Sequence, residues 1–113
     1  MNFIAGNASG TGAGGQFSFE GGALALPCPR AGQVTLGQRP EHIHFEPAAS
    51  WRGEVLLVEP TGADTYVVVK TGVGPVTVRT PPSTLVKVGD NVGLAISSHH
   101  NNWFDVQTGL RLG

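Results

Sequence analysis

Leu36-Gly37-Gln38-Arg39-Pro40-Glu41-His42-Ile43 is the stretch around which the chain is organised. Gly37 and Pro40 set the backbone on either side of an Arg and a Glu two positions apart. Pro40 biases Arg39 away from helix and toward an extended shape. In an extended segment Arg39 and Glu41 project to the same face, so the guanidinium can reach that carboxylate or another nearby. The plain alternative is a strand start with a surface ion pair worth ~0–1 kcal/mol. The expectation is a structural role, with Arg39 partly shielded and bound to a carboxylate or to loop carbonyls. Such a charge-assisted bond contributes ~1.5–3 kcal/mol.

On the C-terminal side, Ile43-His44-Phe45 closes the stretch and Glu46-Pro47-Ala48-Ala49-Ser50 is a loop. Trp51 to Val58 and Thr65 to Lys70 make the strongest strand pair. Val55-Leu56-Leu57-Val58 and Tyr66-Val67-Val68-Val69 are apolar throughout, which predicts cover on both faces at the centre, with Leu57 and Val68 in the core. Glu59 to Asp64 carries Pro and Gly at turn spacing, and Thr71-Gly72-Val73-Gly74-Pro75 is another turn. Val76-Thr77-Val78-Arg79 alternates, and Pro81-Pro82 breaks the sheet. Leu85 to Asp90 turns into Val92-Gly93-Leu94-Ala95-Ile96, where Gly93 permits a strongly bent strand. Trp103-Phe104-Asp105 and Leu110-Arg111-Leu112 flank a Gln107-Thr108-Gly109 turn.

On the N-terminal side, Asn2-Phe3-Ile4 and Val34 to Leu36 read as strands, the first beginning abruptly, like a piece of something longer. Gly21-Gly22 reads as a hairpin turn between Phe17–Phe19 and Ala23–Leu26, which Pro27 and Pro29 terminate. Gly10, Gly12 and Gly15 satisfy Gly-x-Gly-x-x-Gly, a dinucleotide fingerprint that works only where a helix N-terminus leaves the loop. Here Gln16-Phe17-Ser18-Phe19 follows and alternates like a strand, so the loop reads as a turn. No Gly-Lys-Ser/Thr occurs anywhere, which excludes a Walker loop in this sequence.

These 113 residues are expected to form one domain, 1–113, with a single core. Seventeen Gly and eight Pro, without long helical periodicity, favour short strands joined by turns. The fold class expected is all-β, a small closed or half-closed antiparallel barrel. A net charge of −1 lacks the basic stripe of a nucleic-acid groove, and the seven Lys and Arg do not interleave with aromatics. The lone Cys28 rules out an internal disulfide. No apolar run approaches the ~20 residues of a membrane span, and Met1-Asn2-Phe3-Ile4 lacks a charged signal-peptide start, so a soluble domain is expected.

Two sharper chemistries compete with a non-catalytic barrel. His42 and His44 alternate, Glu46 continues their face if the strand runs on, and His99-His100 supplies a further ligand. His-x-His followed by Glu is the donor set of a cupin-like metal barrel, although the gap to Glu is short and the second cupin motif is absent. A small oxyanion held by backbone N–H groups is the other alternative. Ser97, Ser98 and His99 are merely adjacent, which does not make a nucleophile and its base.

The Gly37-Gln38-Arg39-Pro40-Glu41-His42 string resembles the signature of the TOBE domain, the small β-barrel ending many sugar-importer ATPases of the ABC class. The likeness to the maltose and glycerol-3-phosphate importer type runs from about Gly32 to Leu112. It continues through Glu54-Val55, Glu59-Pro60-Thr61-Gly62, Val88-Gly89-Asp90, Val92 to Ile96, Phe104-Asp105, Thr108-Gly109 and Leu110-Arg111-Leu112. Asn2-Phe3-Ile4 resembles the strand that follows the ATPase domain in such proteins. The loop from Ser98 to Trp103 departs from the acidic or proline-bearing loop usual there, so no regulator contact is assigned.

The resemblance implies an oligonucleotide/oligosaccharide-binding (OB)-type barrel that is itself no enzyme and holds no cofactor. ATP and Mg²⁺ would belong to an attached ATP-hydrolysing domain. Its implied partners are that domain, a homodimer partner and, indirectly, the transporter's membrane subunits, with no nucleic acid. Its implied roles are dimerisation, coupling, or binding of regulators or solutes. The implied location is cytoplasmic, peripheral to the inner membrane. Gly37, Arg39, Pro40, Glu41 and His42 are carried over as a motif of structure or interface, with no catalytic residue.

Overall fold

Residues 1–10, 14–96 and 101–112 are described in the computed structural model. The short strands demanded by the Gly and Pro punctuation are β1 (Asn2–Ser9), β2 (Gln16–Phe19), β3 (Gly22–Leu24), β4 (Gly32–Gln38), β5 (Ile43–Phe45), β6 (Arg52–Pro60), β7 (Thr65–Thr71), β8 (Gly74–Thr80), β9 (Asn91–Ile96) and β10 (Asn102–Asp105). One 3-10 turn, Pro40–His42, interrupts them. Two sheets result, ordered β10-β4-β1-β2-β3 and β5-β9-β6-β7-β8. Their strand pairs are antiparallel. The fold is an all-β, OB-like barrel.

Alternation along each strand sends one face inward. Ile4, Phe17, Val34 and Leu36 from the first sheet meet Val55, Val67, Val69, Val78 and Leu94 from the second in one buried cluster. Two tryptophans lock it edge-on. Trp103 stands 5.1 Å from Phe17 and Trp51 stands 5.1 Å from Phe19, both T-shaped. That geometry sets the positive ring edge against the negative face.

The β6–β7 hairpin departs from the expectation of cover on both faces. A β-bulge lies between Val55 and Leu57, so Val55 opposes Val69 while Leu57 opposes Val68. One inserted residue shifts the alternation, as bulges do. Leu56 and Leu57 therefore both end outside, 43% and 44% exposed, and Val68 is half-buried. The core positions of this hairpin are Val55, Val67 and Val69. Leu57→Ala should consequently change stability by only about 0.5 kcal/mol. Val67→Ala should cost about 2 kcal/mol through lost transfer energy and a cavity. Urea denaturation of the two variants checks the order, and equal losses would contradict it.

The two sheets are tied at the middle of β8 and at the turn that leads into it. The Asn2 side chain donates to the Thr77 carbonyl at 2.8 Å and accepts the Thr77 N–H at 2.8 Å. One amide thus satisfies both backbone groups of an edge residue, with Pro75 two positions away offering no N–H. Before β8 begins, the β7–β8 turn rests on the β2–β3 turn, where a Cβ on Gly72 would strike the Glu20 carbonyl. That second turn is Glu20-Gly21 rather than the expected Gly21-Gly22. Phe19 pairs with Gly22, and Gly21 takes the positive φ of +94°.

The outer edge of β10 is closed too. Leu112 N–H donates to Trp103 O at 2.7 Å and Asp105 N–H to Leu110 O at 2.8 Å. Covered edges leave fewer unpaired groups for stray strand pairing.

Candidate functional site

The site begins where β4 ends. Gln38 is fully buried, and Arg39 is extended at φ −72°, ψ 149°, as a residue before proline must be. Pro40 then opens the 3-10 turn, where its missing N–H has no partner to lose. His42 N–H donates to Arg39 O at 3.0 Å, and Ile43 N–H donates to Pro40 O.

This turn corrects the extended reading of the motif. Arg39 and Glu41 do not share a strand face, because the chain coils between them. Arg39 is exposed, and among the described residues its guanidinium makes no hydrogen bond or ion pair. The anchoring of loop carbonyls expected of Arg39 is done by Arg52. Its Nε donates to Asn91 Oδ1 at 2.6 Å, and its Nη1 to Pro47 O at 2.9 Å and Ala49 O at 3.3 Å. The signal for Arg52 was its place directly after a loop whose carbonyls need donors.

Gly37 has a packing role. A Cβ there would lie 2.7 Å from Met1 Sδ and 2.8 Å from Phe104 Cε2, so both side chains lie over the bare backbone. Phe3 meets Phe104 edge-on at 5.7 Å on the same outer face.

Glu41 is exposed, and its own backbone N–H bonds its carboxylate and holds the acid below the usual range. Desolvation opposes this, while His42, Arg79 and Arg39 add favourable charge. The sign follows from the depressed value. Any stability from Glu41 is present above its unfolded pKa and is lost as pH falls through the lower folded one. A carboxyl-detected NMR titration should place Glu41 below an unstructured glutamate. A midpoint at or above the ordinary value would contradict the bond.

Across from the turn, on β8, Arg79 contacts Asp64 Oδ2 through Nε at 3.0 Å and Nη2 at 2.9 Å. Between the turn and β5 on one side and β8 with its Pro81 exit on the other lies a cleft of about 440 Å³. Ile43, Phe45 and Pro81 supply its apolar lining, and Glu41, His44, Arg79 and Thr84 its polar groups. The motif therefore forms one wall of a recess, a relation invisible in sequence because Arg79 is 38 residues from Glu41.

The cupin-like donor set is arranged differently from the expectation. His42 ends the 3-10 turn, His44 is exposed on β5 and Glu46 is exposed beyond it, so the two imidazoles do not alternate along one strand. Among the described residues no three His, Cys, Asp or Glu side chains gather in a metal-holding group. Ser97, Ser98, His99 and His100 lie outside the described residues. The Gly10–Gly15 loop joins β1 to β2, with 11–13 outside the described residues, and a strand stands where a dinucleotide loop needs a helix. No helix among the described residues is long and apolar enough to cross a membrane.

The chain is an antiparallel OB-like barrel whose fourth strand runs through Gly37 into an Arg-Pro-Glu-His turn. A profile of the TOBE domain matches residues 36–104. The chain belongs to the TOBE domain family.

The chain is 43% identical over 81 residues to the sn-glycerol-3-phosphate import ATP-binding protein UgpC of Ralstonia nicotianae, a span of 68% of this chain and 22% of that protein. Its counterpart in Paracoccus denitrificans is 34% identical over 105 residues, 88% of this chain and 30% of that protein. That of Burkholderia ambifaria is 32% identical over 124 aligned positions, 100% of this chain and 34% of that protein. The chain thus spans about a fifth to a third of the length of the curated relatives it matches.

Proposed function

We propose that this chain is the accessory domain of an ATP-binding subunit in an ABC importer for a sugar or related solute. The observation that carries the reading is the TOBE match over 36–104, together with relatives named as sn-glycerol-3-phosphate import ATP-binding proteins. In this reading the domain is not itself an enzyme, and ATP and Mg²⁺ are held by a different segment of the subunit. Its work is dimerisation, coupling or regulator binding. Its partners are the ATP-hydrolysing domain, a second copy of the subunit and, through them, the membrane subunits. The subunit then sits in the cytoplasm, against the inner membrane.

Exposure of the motif's side chains supports contact with a partner better than it supports a purely internal role. Arg39 and Glu41 are both at the surface, Arg39 directly before the Pro40–His42 turn and Glu41 within it. Rigid elements hold an interface with less ordering entropy than loops do. Calorimetric titration of the chain with MgATP tests the division of labour. No saturable heat is expected, whereas micromolar affinity would place nucleotide chemistry in this barrel and overturn the reading.

A further inference from the structure

We infer that Asn2 is a clasp that keeps the open edge of β8 from pairing with a strand of another molecule. Among the described residues the sheet orders leave β10, β3, β5 and β8 at the edges. An edge strand presents N–H and C=O groups that template stray pairing, and short or covered edges avoid it. β3 and β5 have three residues each, and β10, with four, is covered by Leu110 to Leu112. β8 has seven, Gly74–Thr80, with the β-branched run Val76-Thr77-Val78 at its centre. Such runs favour strand pairing. It is the edge that needs protection.

The register shows which residues of β8 face outward. Thr77 lies opposite Val68, yet both its backbone groups bond to Asn2, so they turn away from β7. Alternation turns the backbone of Pro75 and Arg79 outward as well. Each of the three positions carries a different guard. Pro75 has no N–H to offer an incoming strand. Arg79 is exposed, and its guanidinium, held by Asp64, places a charge beside the edge. Thr77, between them, is neutral and β-branched, and its guard is the Asn2 carboxamide, which occupies donor and acceptor together at 2.8 Å each. A carboxamide offers the same donor and acceptor as a peptide group, so Asn2 stands where the next strand's backbone would bond. Asn2 itself belongs to β1 of the other sheet, 75 positions away. No turn or cap of β8's own sequence places it there.

The inference goes beyond the accessory-domain reading and does not rest on it. It concerns association of the folded barrel through β8 and requires no ATP-binding subunit.

Sedimentation velocity of the chain over a range of concentrations is the test, with wild type as the reference. Asn2→Ala, which removes both bonds, should raise the weight-average mass about twofold or more above wild type at equal concentration. Asn2→Leu, similar in size and equally unable to bond, should associate likewise. Adding Thr77→Pro to either variant should bring the mass back to the wild-type value, because the edge then lacks that N–H as it does at Pro75. Val67→Ala, weakened in the core with the clasp intact, should sediment as wild type does, which separates edge pairing from aggregation of a weakened fold. The inference is overturned if neither Asn2 variant exceeds the wild-type mass, if Thr77→Pro leaves their association unchanged, or if Val67→Ala associates equally. Loss of the β-sheet circular dichroism signal in both Asn2 variants would also overturn it, by making Asn2 a requirement of folding rather than a guard.

Discussion

Phe17→Ala should reduce the stability of the barrel by ~3–5 kcal/mol, a large part of the ~5–15 kcal/mol that holds a domain folded. Phe17 is fully buried on β2. Its ring lies over Gly6, where a Cβ would come within 2.8 Å of Cζ. It also stands edge-on to Trp103 at 5.1 Å and tilted to Phe19 at 5.6 Å. Bare backbone on one side and fixed rings on the others leave little that can collapse into the space. The cost should therefore fall toward the upper end for a Phe-to-Ala change. Heat or urea unfolding followed by tryptophan fluorescence reads it, and a loss below about 1 kcal/mol would mean the β1–β2–β10 corner is not the core.

The second large effect is expected at a glycine outside the motif. A Cβ on Gly93 would overlap the Glu46 backbone carbonyl and lie 3.0 Å from Arg52 Nη1. Neither neighbour is free to move. Glu46 N–H is bonded to Gly93 O at 2.9 Å, and Arg52 is held by Pro47, Ala49 and Asn91. Gly93→Ala should therefore force β9 from the loop after β5, at ~3 kcal/mol or more. Gly37→Ala in the motif should cost about 1 kcal/mol, since only the ends of Met1 and Phe104 must swing aside. Thermal midpoints of the two variants give the comparison. A larger loss at Gly37 would reverse the assignment of which glycine the fold depends on.

That contrast marks what could be read from the chain alone. Strands came through because Gly and Pro bracket alternating apolar runs such as Gln16–Phe19 and Gly74–Thr80. Antiparallel barrel class came with them. The β6 bulge did not, because Val55-Leu56-Leu57-Val58 is apolar at every position and gives no period from which an inserted residue could be detected. Gly93 was legible as a special position but not as a close approach, which depends on Glu46 arriving from 47 residues away.

The motif was found by its residues and misjudged in its geometry. The extended bias before Pro40 is real at Arg39, yet proline is equally a good first residue of a helical turn, and that preference governs Glu41 and His42. Arg39 and Arg52 carry the same chemistry, and only the position of the Glu46–Ser50 carbonyls separates them. The cleft joins Glu41 to Arg79 and Thr84 through the placement of the turn and β5 beside β8, which no local pattern encodes.

The central claim is that this chain serves the ATP-binding subunit of an importer. Glycerol-3-phosphate uptake tests it most directly, in cells whose own UgpC carries this chain in place of its matching segment. Uptake well above that of cells with the segment deleted is the predicted result. Uptake no better than the deletion, from a grafted subunit that is folded and present at the same level, would contradict the account.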